Sequence, residues 1–131
     1  CRDACLNKVW NCCKDALKHL CSIASKKGVV LALCNVYPKS SAAVFDLHGL
    51  KAMLDGVGSG LGAALDSSAM DVSGEDAGKW FELLGPRILY ARYSECNGIC
   101  ENMSQQAFLP GGRFFDTLNE YSYGGYVGLG C

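Results

Sequence analysis

No stretch of this chain approaches the ~20 consecutive apolar residues that a membrane-spanning helix needs; the longest unbroken run is Val29 to Cys34. A transmembrane helix is excluded. An excess of charge of one sign is also missing. Twelve basic residues stand against 13 acidic ones, for a formal net charge of −1, whereas a nucleic-acid-binding domain usually carries a basic face. The two histidines, His19 and His48, are far apart in the chain, and no C-x₂-C spacing occurs, so the paired ligand spacings of zinc sites are absent. There is no G-x-S-x-G, H-E-x-x-H or Walker motif. His48 follows Asp46 by two positions, which on a helix do not face each other, so an acid–base dyad is not formed there.

Cysteine is what the chain has in plenty, with nine in 131 residues. Thiols at that density persist as disulfides in an oxidising compartment or as metal ligands, and the spacings argue against metal. The sequence therefore predicts disulfides drawn from Cys1, Cys5, Cys12, Cys13, Cys21, Cys34, Cys96, Cys100 and Cys131, with one cysteine unpaired or interchain. Adjacent Cys12 and Cys13 take different partners, because bridging them demands strained geometry. The odd residue suggests a disulfide-linked homodimer, with Cys1 and Cys131 as the accessible candidates. A start at Cys1 rather than Met reads as a mature chain whose signal or pro-segment has been removed; a lipoprotein acylation site is the alternative. Apolar residues make up 50% and charged residues 19%, a composition that folds.

Residues 3 to 26 predict a long amphipathic helix, with Cys5, Val9, Cys12, Cys13, Ala16, Leu17, Leu20, Cys21 and Ala24 recurring at three- and four-residue steps. Gly28 is a stop signal, and cysteines on its buried face would make this helix the organising element. Residues 29 to 37 read as a buried strand ended by Pro38, and 42 to 55 as a helix ended by Gly56. The glycine-rich segment 56 to 64 predicts a loop or tight turn; no lysine followed by Ser or Thr makes it a phosphate cradle. Residues 66 to 74 read as a polar connection. Ser73 and Asp76 suggest a capping box for a helix to Leu84, with Trp80, Phe81, Leu83 and Leu84 on its core face. Arg87 to Cys96 is taken as a helix over a strand, Asn97-Gly98 and residues 109 to 112 as turns, and 114 to 121 as a short amphipathic piece. The Gly/Tyr tail, 123 to 131, predicts a strand paired with residues 29 to 37. The expected fold is thus α+β: a helix-dominant, disulfide-stapled single domain over 1–131 with a small β element from residues 29–37 and the C-terminal tail.

Asn102-Met103-Ser104 is an N-glycosylation sequon. Tyr121, Tyr123 and Tyr126, set among glycines, offer rigid contact area at low entropic cost and are the candidate partner surface. Tyr123 to Gly130 (YGGYVGLG) resembles the calcium-binding loop of secreted phospholipase A2 enzymes, and Cys12-Cys13 their paired cysteines. Here the order of loop and pair is reversed, and Lys14-Asp15 stand where that family has its catalytic His-Asp, so the resemblance implies no activity. These features predict a secreted, extracellular, non-enzymatic binding protein of toxin or effector type, with no cofactor, no metal and no catalytic residue. An extracellular structural or assembly protein, joined through its odd cysteine and tail, is the second reading, and a small secreted hydrolase the third.

Overall fold

The computed structural model describes residues 2–35, 46–94 and 112–130. In chain order these form α1 (Arg2–Ser25), β1 (Leu31–Cys34), α2 (Leu47–Val57), β2 (Leu61–Asp66), α3 (Ser67–Ser73), α4 (Ala77–Leu84), a 3₁₀ turn (Gly85–Arg87), β3 (Ile88–Ser94), α5 (Arg113–Glu120) and β4 (Tyr126–Gly130). The four strands make one sheet in the order β1-β2-β3-β4, and every pairing is parallel. None of the described helices is long and apolar enough to cross a membrane.

This is an α/β architecture, and it corrects the expected helix-dominant α+β domain. The tail does form a strand, but β4 pairs with β3, while β1 lies at the opposite edge of the sheet. A two-stranded element from residues 29–37 and the tail is therefore not what is built. Parallel strands need a crossover between them, usually a helix, and α2 supplies one between β1 and β2.

The core is sandwiched between one face of the sheet and the helices. Leu50, Met53 and Leu54 of α2 pack with Trp80, Phe81 and Leu84 of α4, against Leu61, Ala63 and Leu65 of β2 and Ile88 and Ala91 of β3. Leu83, expected in this core, is exposed. β2 is one of the two inner strands, although its sequence reads as a loop or tight turn. Its small residues serve close packing: a side chain at Gly62 would meet Leu89 Cδ1 at 2.3 Å and the Arg87 carbonyl oxygen at 3.0 Å. Residues 66 to 74 are not a plain connection either. Asp66 caps α3, accepting from the N–H groups of Ser68 and Ala69, and Gly74 ends it at φ +69°, the left-handed conformation glycine adopts freely. The α4 cap is Asp76, whose carboxylate accepts from Gly78 N–H at 2.8 Å; Ser73 instead donates back to the carbonyls of Ala69 and Met70 inside α3. Residues 88–94 are strand, not helix.

α1 lies at the margin of this core. Trp10, Cys13, Leu17 and Cys21 are half-buried against it, while Leu6, Val9, Leu20 and Ile23 are exposed. The helix is an outer layer, not the organiser of the fold. The disulfide staple is corrected as well: Cys12, Cys13, Cys21 and Cys34 all carry free thiols. Cys13 and Cys21 lie two turns apart on one helix, about 12 Å at 1.5 Å per residue, beyond bridging distance. They act as small apolar side chains, a common role for free cysteine. Cys1, Cys96, Cys100 and Cys131, and the side chain of Cys5, lie outside the described residues.

Candidate functional site

Parallel strands place all their C-terminal ends on one rim of the sheet, where ligands bind in α/β proteins because crossover loops and helix starts converge there. Here the rim carries Cys34 at the end of β1 and Asn35 after it, Asp66 at the end of β2 followed by Ser67 and Ser68, and Arg92 and Ser94 on β3.

These residues are laced across three strands. Asn35 is buried; its Oδ1 accepts from Asp66 N–H at 2.9 Å and its Nδ2 donates to the Asp66 carbonyl at 3.4 Å, so an amide side chain continues the β1–β2 ladder beyond its last backbone bond. Ser67 does the same toward β3: Ser94 N–H donates to Ser67 Oγ at 3.1 Å, and Ser67 Oγ donates to the Ser94 carbonyl at 3.3 Å. Asp66 Oδ1 accepts from Ser68 N–H at 3.0 Å, from the Ser68 hydroxyl at 2.7 Å and from the Ser94 hydroxyl at 3.0 Å. Its other oxygen, Oδ2, faces Arg92 Nη1 at 3.7 Å, with the guanidinium half exposed. Beside them, burial pushes the Cys34 thiol up, and the negative charge of Asp66 pushes it further, against a smaller opposing effect of Arg92. A thiol held neutral is a poor nucleophile, because the thiolate is the reactive species.

The arrangement suits recognition of an uncharged, hydroxyl-rich ligand. Asn35 and Ser67 are buried and spend their hydrogen bonds on backbone, so the groups left for a ligand are Asp66 Oδ2 as an acceptor and the half-exposed Arg92 guanidinium, with donors in a fixed fork. Among the described residues, no group of three His, Cys, Asp or Glu side chains could hold a metal ion.

The tyrosines proposed as a partner surface lie elsewhere. Tyr121 stacks on Phe81, centroids 5.2 Å apart, and donates to Glu82 Oε1 at 3.2 Å. Tyr123 meets the same ring edge-on at 5.6 Å and donates to the Tyr126 carbonyl. Partial burial raises both phenols, with Glu82 adding to Tyr121 and Tyr90 to Tyr123. Both residues precede β4 and so stand at the opposite end of the sheet from the rim. Tyr126 alone of the three is widely exposed, at 83%. His19 and His48 are exposed on α1 and α2, on separate elements. Asn102 lies outside the described residues. Asp66, Arg92 and Ser94 escape sequence reasoning because β2 and β3 do not read as strands; Asn35 lies in a segment that does, but its partner, the Asp66 backbone, is 31 residues away. One signal for them was present: a short apolar run ended by Asp-Ser-Ser, the form of a buried strand running into a capped helix.

The chain is a parallel α/β unit whose fold is similar to part of several solved sugar epimerases. Solved structures similar to it include 3-keto-D-glucoside 4-epimerase YcjR from E. coli, with a TM-score of 0.76 at 14% identity over 95% of this chain and 47% of that one. Another is D-psicose 3-epimerase from Clostridium cellulolyticum H10, solved with D-tagatose, with a TM-score of 0.75 at 16% identity over 92% of this chain and 41% of that one. A third is an L-ribulose 3-epimerase, with a TM-score of 0.74 at 24% identity over 92% of this chain and 40% of that one. The chain thus spans less than half the length of these enzymes. At such identities the likeness establishes the fold. No protein-family model matches the chain, and no curated protein matches it significantly.

These findings correct the functional expectations. A secreted toxin-like binder or cross-linked assembly protein was inferred from bridged cysteines, and the four described thiols are free. The fold is shared with sugar epimerases, and the non-enzymatic reading is set aside. The disulfide-linked homodimer has no bridge among the described residues to rest on.

Proposed function

We propose that this chain forms part of the substrate-binding face of a carbohydrate epimerase or isomerase, acting on a monosaccharide-sized ketose or keto-sugar. The observation that carries the reading is the Asn35–Asp66–Ser68–Arg92–Ser94 cluster at the C-terminal rim, in a fold shared with sugar 3- and 4-epimerases. Epimerisation next to a carbonyl removes a proton from carbon and returns one to the opposite face, with no net redox change. The role assigned to the cluster is positioning. Arg92 donates to substrate oxygens, Asp66 Oδ2 accepts from a substrate hydroxyl, and Asp66 Oδ1 stays committed to α3 and Ser94.

The test is binding and exchange with D-psicose, D-tagatose and L-ribulose. NMR titration should perturb Asn35, Asp66 and Ser94, and incubation in D₂O should replace the hydrogen on the carbon beside the carbonyl with deuterium. Arg92→Ala should weaken sugar binding about 10- to 100-fold, the loss of a charge-assisted hydrogen bond worth ~1.5–3 kcal/mol. Shifts confined to the opposite end of the sheet, or affinity unchanged in Arg92→Ala, refute the assignment.

A further inference from the structure

The ladder between β2 and β3 slips by one residue. Ala63 faces Ile88, yet the next residue, Ala64, faces Tyr90, so Leu89 is passed over. An extra residue of this kind is a β-bulge, a device that re-aims side chains and is common beside active sites. Ile88 and Ala91 both lie in the core, although plain alternation would send residues three apart to opposite faces. Beyond the bulge alternation resumes, so Tyr90 and Arg92 share the face of the sheet away from the core. Tyr90 is in register with Ala64, and Arg92 with Asp66, which puts Asp66 and Arg92 in one row on that face.

Tyr90 does not stand straight out from the sheet. Its ring leans along the strand and across to β4, over the bare Cα of Gly128. A Cβ added at Gly128 would overlap the Tyr90 hydroxyl and meet its Cζ at 2.7 Å; glycine inside a strand often marks such a close approach. Gly128 is in register with Arg92. The Tyr90 hydroxyl therefore lies one row nearer the C-terminal rim than its own Cα, in the row Asp66–Arg92–Gly128. Both strands that flank Tyr90, β2 and β4, belong to the described sheet, so packing within that sheet sets its direction. Among the described residues its hydroxyl has no hydrogen-bond partner, whereas Tyr121 donates to Glu82 and Tyr123 to the Tyr126 carbonyl.

We propose that Tyr90 is the third sugar-binding group of this rim, and that Gly128 is the gap through which its hydroxyl reaches the site. The assignment deepens the sugar-binding reading of the rim and rests on it. Asp66 Oδ2 accepts from one substrate hydroxyl, and the Arg92 guanidinium donates to a second oxygen. The Tyr90 hydroxyl, which both donates and accepts, takes a third. The row spans two strand spacings, ~10 Å from Asp66 to Gly128, so one monosaccharide with hydroxyls on successive carbons reaches all three groups. Two contacts leave a sugar free to turn about the line that joins them; a third fixes the face it presents. Tyr90 thus discriminates between ketoses that differ only in hydroxyl configuration.

Calorimetric titration with D-psicose, D-fructose and D-tagatose, three ketohexoses that differ only in configuration, is the test. Tyr90→Phe keeps the ring and should bind the best of the three about 2- to 12-fold more weakly, the range for one uncharged hydrogen bond. The spread of affinities among the three sugars should narrow with it. Gly128→Ala should weaken binding to a similar degree, because the added methyl displaces the phenol. In a Tyr90→Ala background the same Gly128→Ala change should cost nothing further, since no phenol is left to displace. Far-UV circular dichroism of Tyr90→Phe and Gly128→Ala should match that of the parent. Affinities unchanged in Tyr90→Phe while Arg92→Ala weakens binding would overturn the role of Tyr90 and leave the rim reading in place. Equal losses from Gly128→Ala with and without the Tyr90 ring would overturn the pairing of the two residues. A chain that binds none of the three sugars removes both readings.

Discussion

Replacing Asp66 by alanine and by asparagine separates what this residue does for the fold from what it does for a ligand. Its Oδ1 caps α3 through the N–H groups of Ser68 and Ala69 and accepts from the hydroxyls of Ser68 and Ser94. Loss of a helix cap costs about 0.5–2 kcal/mol, and loss of hydrogen bonds to a charged acceptor about 1.5–3 kcal/mol. The two overlap, so Asp66→Ala should destabilise by about 2–4 kcal/mol. Asparagine keeps an acceptor at the same place. What it loses is the charge facing Arg92 at 3.7 Å, a half-exposed pair of the kind that contributes about 0–1 kcal/mol. Asp66→Asn should therefore cost no more than about 1 kcal/mol. In urea, with a slope of about 1–3 kcal/mol per molar for a small domain, alanine should lower the midpoint by about 1–2 M and asparagine by a small fraction of that. Sugar affinity should fall in both. Equal midpoints for the two variants would refute the capping account, and undiminished affinity in a folded Asp66→Asn protein would remove the carboxylate from the binding site.

Three further outcomes follow from the geometry. Gly58 holds φ +104° at the end of α2, a conformation that costs other residues about 1–3 kcal/mol, so Gly58→Ala should lower the thermal midpoint even though a Cβ there would meet nothing within 4 Å; an unchanged midpoint would contradict this. Fully buried Trp80 donates to Glu75 Oε2 at 3.2 Å, while Glu75 Oε1 accepts from Leu47 N–H at 2.9 Å, so Trp80→Phe should cost about 2–4 kcal/mol by urea titration, from lost volume and from a carboxylate oxygen left without its donor. Cys34 is raised by burial and by Asp66, so its alkylation, followed by peptide mass spectrometry, should lag behind that of exposed Cys12 and begin only above the ordinary thiol range. The accompanying stability is fully present below the unfolded thiol's value and is lost as pH rises through the raised one; a Cys34 that alkylates as fast as Cys12 at neutral pH would rule this out.

Elements with strong periodicity or β-branched residues were legible in the sequence. α1, the strand within 29–37, the helices ending near Val57 and Leu84, and the short helix before the tail all announce themselves by pattern. β2 did not, because LGAALD carries Gly and Ala where a strand signature wants Val, Ile or Thr. Gly62 is there for the approach of Leu89 and the Arg87 carbonyl, a tertiary fact with no local trace. With β2 read as a loop, the alternation of strand and helix that signals a parallel sheet was broken, and Asp66 lost its place at a strand end. The cysteines misled for a different reason. Their number is the same whether they bridge or fill space, and Cys13 and Cys21 fill space beside the core.

The register of the sheet also bears on how the chain reaches its structure. Leu31 meets Leu61, Ala63 meets Ile88, and Tyr90 meets Tyr126, so no two neighbouring strands can zip up from a tight hairpin. Each ladder must wait until a long intervening segment has been made and its ends brought together, and that loop entropy is spent before any strand pairing offsets it. Each of these strands is made before its neighbour, so β1 waits for β2, β2 for β3 and β3 for β4. Slow sheet assembly, with apolar strand surface open to solvent in the meantime, is built into this topology.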